Sequence, residues 1–98
     1  MTFELVFTDK AGSQLDILER FNDKKTVLKA VRKTLAFLET NLRHPSLQTH
    51  EYRDLVGANG EKVFDSYAEQ NTPAAYRVFW YYGPEKNKIT VVSVTSHP

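Results

Sequence analysis

Two residues near the end of the chain have the types and placement for chemistry: Arg77 and His97. Arg77 stands in Ala75-Tyr-Arg-Val-Phe-Trp-Tyr-Tyr82, among aromatic and β-branched neighbours. A guanidinium in such company is costly to desolvate unless it meets an anion or lies in a cleft. The other reading is an edge position, with the head group snorkelling into water. Whether His97 can cooperate depends on strand register, because side chains alternate faces with period two. If Tyr81 pairs with Ile89, Arg77 pairs with Ser93, and Thr95 and His97 fall on the Arg77 face. A slip of one residue moves His97 to the opposite face.

The elements that must position this pair have strand composition. Residues 75–82 and the run from Ile89 are rich in the residue types that favour strands. Between them lies Gly83-Pro84-Glu85-Lys86-Asn87-Lys88, a polar turn with a Gly-Pro breaker. Together they predict a hairpin. Trp80, Tyr76 and Tyr82 give it an aromatic face, explained first by core packing and second by stacking on a base.

Upstream, Phe3, Leu5 and Phe7 alternate with polar or smaller residues, which predicts a first strand over residues 1–8. Residues 9–12 read as a turn. Ser13-Gln-Leu-Asp16 has the form of a capping box and opens a short helix with Leu15, Ile17, Leu18 and Phe21 as its apolar set. Residues 24–42 are the clearest helix. Leu28, Val31, Leu35, Leu38 and Leu42 form one stripe, the face expected to pack on a sheet. His44-Pro45 stops it, and His44 is expected to meet the helix dipole as a cation. Residues 46–58 show no clean periodicity. Ala58-Asn-Gly-Glu61 is a turn, Lys62–Glu69 a possible strand, and residues 70–73 a loop. The order predicts an α+β fold: an N-terminal strand, then two helices on one face of a mostly antiparallel sheet that ends in a C-terminal hairpin.

Ninety-eight residues fit a single domain, 1–98. With 41% apolar and 26% charged residues, the composition is globular. No run is long enough to span a membrane and no signal peptide is evident, so a cytoplasmic location is expected. The absence of cysteine excludes disulfides and thiolate metal sites. The three histidines lack ligand spacing, so no zinc site is expected. There is no glycine-rich phosphate loop.

The net charge of +1 hides an asymmetry. Arg20, Lys24, Lys25, Lys29, Arg32, Lys33 and Arg43 face only Asp23 and Glu39 between residues 20 and 43, whereas residues 51–69 are mostly acidic. A basic helix can meet phosphate or an acidic partner; a solvated helix face is the plainer reading. His50, in Thr49-His-Glu-Tyr-Arg53, suits acid/base work or is an ordinary surface histidine.

The order of these elements, with Tyr76-Arg77-Val78 inside the penultimate strand, Leu55-Val-Gly57 before it and His97 just past the last strand, resembles the RelE/ParE superfamily of bacterial toxins over nearly the whole chain. RelE-like members are ribonucleases that cut mRNA in the ribosomal decoding site. ParE-like members inhibit DNA gyrase. Both kinds are restrained by an antitoxin. The resemblance therefore implies a toxin, a cognate antitoxin partner and a target of mRNA and ribosome, with DNA gyrase as the alternative. The ribonuclease reaction so implied is attack of an RNA 2′-hydroxyl on the adjacent phosphate, with no metal and no cofactor required. It needs a base, a cation on the phosphate and an acid for the leaving oxygen. By resemblance Arg77 contacts the phosphate, where a bidentate, permanently charged fork suits the task. His97 is the acid and Glu69 the base. Tyr67, Lys62 and His50 are the substrate-binding candidates. Residues 66–70 carry no cation where ribonuclease members place lysines.

Overall fold

The computed structural model describes residues 2–70 and 74–96. His97, Met1 and residues 71–73 of the expected loop lie outside the described residues. One five-stranded mixed sheet, in the order β1-β5-β4-β3-β2, carries two helices on one face. The strands are β1 (Glu4–Phe7), β2 (His50–Val56), β3 (Lys62–Tyr67), β4 (Tyr76–Tyr82) and β5 (Lys88–Ser96). β1 pairs with β5 in parallel and every other pairing is antiparallel. The α+β architecture expected from the sequence is therefore the one observed.

Helix α1 (Asp9–Arg20) starts five residues earlier than the Ser13 box suggests, so residues 9–12 are helix and not a turn. The cap is Thr8, whose Oγ1 accepts from the Ala11 N–H at 3.1 Å and donates to the Val92 carbonyl at 2.9 Å. One hydroxyl thus starts the helix and ties it to β5. Asp9 in the first turn and Arg20 in the last suit the helix dipole.

Helix α2 (Lys25–Thr40) follows the leucine stripe and buries Val31, Leu35 and Leu38. Thr34 is buried among them, with its hydroxyl 3.1 Å from both the Ala30 and Tyr67 carbonyls. Leu42 lies beyond the helix but still packs on the core. His44 lies past the end of α2, in the turn that follows it. Its Nδ1 accepts from the Ser46 N–H at 3.2 Å, capping a 3-10 turn over Pro45–Leu47, and its ring stacks on Phe37 at 3.9 Å.

The helix-side core joins Ala11, Leu18, Val31, Leu35 and Leu38 to Val78, Trp80, Val91 and Val94 of the sheet. Trp80 is 1% exposed, and its indole N–H donates to Ser66 Oγ at 2.9 Å. Core packing therefore accounts for it, as the sequence suggests. A smaller cluster of Val63, Phe79 and Tyr81, joined by Tyr52, occupies the other face.

The hairpin register differs from the one that pairs Tyr81 with Ile89. Tyr82 pairs with Ile89, Tyr81 with Thr90 and Trp80 with Val91. A bulge then shifts the ladder, so that Phe79 pairs with Ser93 and Arg77 with Thr95, not Ser93. The extra residue, Val92, restores the parity that the one-residue slip at the turn had reversed. Ser93 and Thr95 consequently share a face with Arg77.

Candidate functional site

Arg77 lies on the sheet face away from the helices, as the strand alternation requires. On the same face, Tyr67 is its direct cross-strand partner and Asp65 sits two residues earlier on β3. His50 pairs with Asp65 from edge strand β2. Three strands thus converge on one cluster. The β3 register behind it is held from the opposite face by Thr34 at the Tyr67 carbonyl and by Trp80 at Ser66.

The cluster is an ion pair in a closed setting. Arg77 Nη1 donates to Asp65 Oδ2 at 2.9 Å. The Arg77 side chain is 9% exposed and that of Asp65 is 0% exposed. The guanidinium carbon lies 3.6 Å from the Tyr67 ring centroid, a cation–π stack that occupies one flat side of the fork. His50 Nε2 lies 3.4 Å from the same Asp65 oxygen, and its Nδ1 is 3.1 Å from the Gln48 carbonyl. A carbonyl only accepts, so Nδ1 carries a proton in that bond. The ring then presents an N–H to Asp65 in its protonated form and a lone pair in its neutral form.

The pair is monodentate. Asp65 Oδ1 and Arg77 Nε are both buried with no hydrogen-bond partner among the described residues. Each such orphan typically costs about 1–3 kcal/mol. The Arg77 of the sequence reading, awaiting an anion, has already met one within its own chain. Asp65 was missed because it reads as one charge in an acidic stretch. The strand period puts Asp65 and Tyr67 on one face, but only the β3–β4 pairing sets Tyr67 beside Arg77.

Glu69 is half-buried, and its carboxylate accepts from the Tyr76 N–H at 3.2 Å, fastening the start of β4. Lys62 is exposed at the far end of β3, five residues from Tyr67. That is about 17 Å along a strand, and on the opposite parity. Lys62 is therefore not brought to the cluster. Instead a cation reaches this face from α1. Lys10 lines a cleft of about 410 Å³ together with Tyr52, Asp54, Phe79, Ser93 and Thr95. Thr95 is the cross-strand partner of Arg77, so cleft and cluster are contiguous. Lys10 was missed because residues 9–12 read as a turn. Among the described residues no group of His, Asp and Glu has the geometry to hold a metal ion.

The architecture is that of the RelE-type toxins. Against solved structures, the YoeB/ParE toxin from Agrobacterium tumefaciens superposes with a TM-score of 0.70 at 9% identity, covering 98% of this chain and 100% of that one. The Escherichia coli DinJ-YafQ toxin-antitoxin complex gives 0.68 at 8% identity, covering 99% and 94%. The archaeal RelE-RelB complex from Pyrococcus horikoshii gives 0.64 at 12% identity, covering 98% and 96%. No protein-family model and no curated protein sequence matches the chain. The likeness is thus one of fold, extending over essentially the full length of each chain. No helix among the described residues is long and apolar enough to cross a membrane.

Proposed function

We propose that this chain is the toxin half of a toxin–antitoxin pair, held in check by a cognate antitoxin, and that it cuts mRNA at the ribosome in the cytoplasm. The observation that carries this reading is the position of Arg77. It lies on the helix-free face of a RelE-type sheet, beside a cleft that Lys10 supplies with a second cation. A toxin–antitoxin complex among the structural neighbours, RelE with RelB, supports the antitoxin partner.

In the reaction an RNA 2′-hydroxyl attacks the adjacent phosphorus, the 5′-oxygen leaves, and a cyclic phosphate remains. Arg77 stabilises the charge that builds on the phosphate. His97 protonates the leaving oxygen and Glu69 takes the 2′-proton. Tyr67 and His50 flank the arginine from neighbouring strands. Their rings supply stacking surface for a base once the cluster opens.

The test is mRNA cleavage in a reconstituted translation reaction, mapped by primer extension, for wild type, His97→Ala and Arg77→Lys. Cuts within codons that His97→Ala abolishes, and that Arg77→Lys lowers by about tenfold to a hundredfold through loss of the fork, are expected. Arg77→Lys retains a cation for Asp65, so a loss of cleavage is separable from unfolding.

One observation favours a second reading. Asp65 already neutralises Arg77, an arrangement suited to a non-catalytic protein that binds DNA gyrase or only its antitoxin. Folded wild type that leaves mRNA intact in the same assay would decide for that reading, with gyrase supercoiling as the next measurement.

A further inference from the structure

We propose that Asp65 is a built-in competitor for Arg77, so that this site rests in a self-inhibited state and engages RNA only when a phosphate displaces the carboxylate. The inference builds on the ribonuclease reading and adds a residue and a step to it.

Three features of the cluster carry it. First, a carboxylate and a phosphodiester ask for the same thing: both are anions that bind guanidinium through charged N–H···O bonds. Asp65 takes Nη1 at 2.9 Å, so an incoming phosphate meets a donor already in use. Second, the contact is incomplete. Asp65 Oδ1 and Arg77 Nε are buried without partners, and a pair satisfied at only one point on each side is easier to exchange than a bidentate one. Third, the cover is light. Tyr67 is half-buried and the His50 side chain is 50% exposed on an edge strand, so the groups closing the site lie next to water. A purely structural buried pair would be expected to satisfy its remaining polar atoms and to sit beneath packed core.

The probe is a short single-stranded oligoribonucleotide with 2′-deoxy substitutions that prevent cleavage, its binding followed by fluorescence anisotropy. Asp65→Asn keeps the shape and an oxygen acceptor for Arg77 but removes the charge. It is expected to tighten binding by about tenfold or more, the scale of one charge-assisted hydrogen bond. In Asp65→Asn/Arg77→Gln the gain is expected to vanish. A merely structural Asp65 would not produce an Arg77-dependent gain. Folded Asp65→Asn that binds no tighter overturns the proposal. So does a gain that survives in the double variant, because that would reflect general charge removal.

Should Asp65→Asn fail to fold, the Arg77 Nε–H resonance of the wild type gives the answer. It is expected to shift on saturation with the oligonucleotide. Saturation without a shift, or no binding, overturns the proposal. Cleavage is scored separately. Arg77-dependent tightening without cleavage upholds the competitor role and ends the ribonuclease reading. Wild-type cleavage with unchanged Asp65→Asn binding does the reverse.

Discussion

The two faces of the sheet are held by different physics. On the helix side, Trp80, Val78, Val91 and Val94 meet the leucine stripe of α2 and the inner residues of α1. The forces there are apolar and non-directional, and they tolerate small adjustments. On the other face a buried ion pair, Asp65 with Arg77, sits beside the small cluster of Val63, Phe79 and Tyr81. That arrangement is directional, and it leaves two polar atoms unsatisfied. The first face maintains the fold. The second gives up polar satisfaction to hold one cation at a fixed place, as a functional site does.

The helix side is the more sensitive to truncation. Trp80→Ala removes the largest fully buried side chain and also the donor to Ser66. A loss of about 3–5 kcal/mol is expected from truncation of a buried aromatic. Urea unfolding of both proteins measures it. A loss under about 1 kcal/mol would mean that Trp80 does not anchor the helix-side core.

A sharper version contrasts single with paired changes on the other face. Asp65→Leu alone strands a buried guanidinium, and Arg77→Met alone strands a buried carboxylate. Each is expected to cost about 3 kcal/mol, at the low end for a broken buried pair because Arg77 retains a little exposure. Made together, the two changes put apolar groups where two charges were, and the double variant is expected to fall within about 1 kcal/mol of wild type. A double-mutant cycle by urea unfolding gives the coupling directly. Strictly additive losses would show that the pair contributes nothing as a pair. The same cycle guards the activity tests, because simple loss of Arg77 removes stability along with any chemistry.

How far the sequence could be read follows the same division. The α2 stripe was legible because one face of the helix is buried, which writes a period into the chain, and the final hairpin because its strands are buried on both faces and so read as aromatic and β-branched runs. Strand β2 was not. It is an edge strand whose residues are mostly exposed, with Leu55 39% and Val56 71% exposed, so no burial period marks it. The hairpin register was lost at two points, a one-residue slip at the turn and the bulge at Val92, neither of which has a sequence signature. Arg77 was visible as an anomaly, but its partner was not. Asp65 sits twelve positions away, and only the pairing of β3 with β4 brings the two together. His50 stands out in the sequence only by its polar neighbours, and its place opposite Asp65 comes from the β2–β3 ladder.

The smallest effect lies where reading and structure diverged at α1. A glycine at position 12 looked like part of a turn, yet it sits inside the helix, four residues past the Thr8 cap. A Cβ built there meets nothing within 4 Å, and the glycine does not adopt a positive φ. The residue therefore gives neither close packing nor a special backbone shape, and its extra freedom in the unfolded chain works against the helix. Gly12→Ala is expected to stabilise the protein by about 0.5–1 kcal/mol. That change is seen as a higher urea midpoint at constant slope. A destabilised variant would mean that position 12 is not in regular helix, and that the turn reading of residues 9–12 describes the folded chain better. Because Lys10 reaches the cleft from the same first turn, that outcome would also remove the second cation from the site.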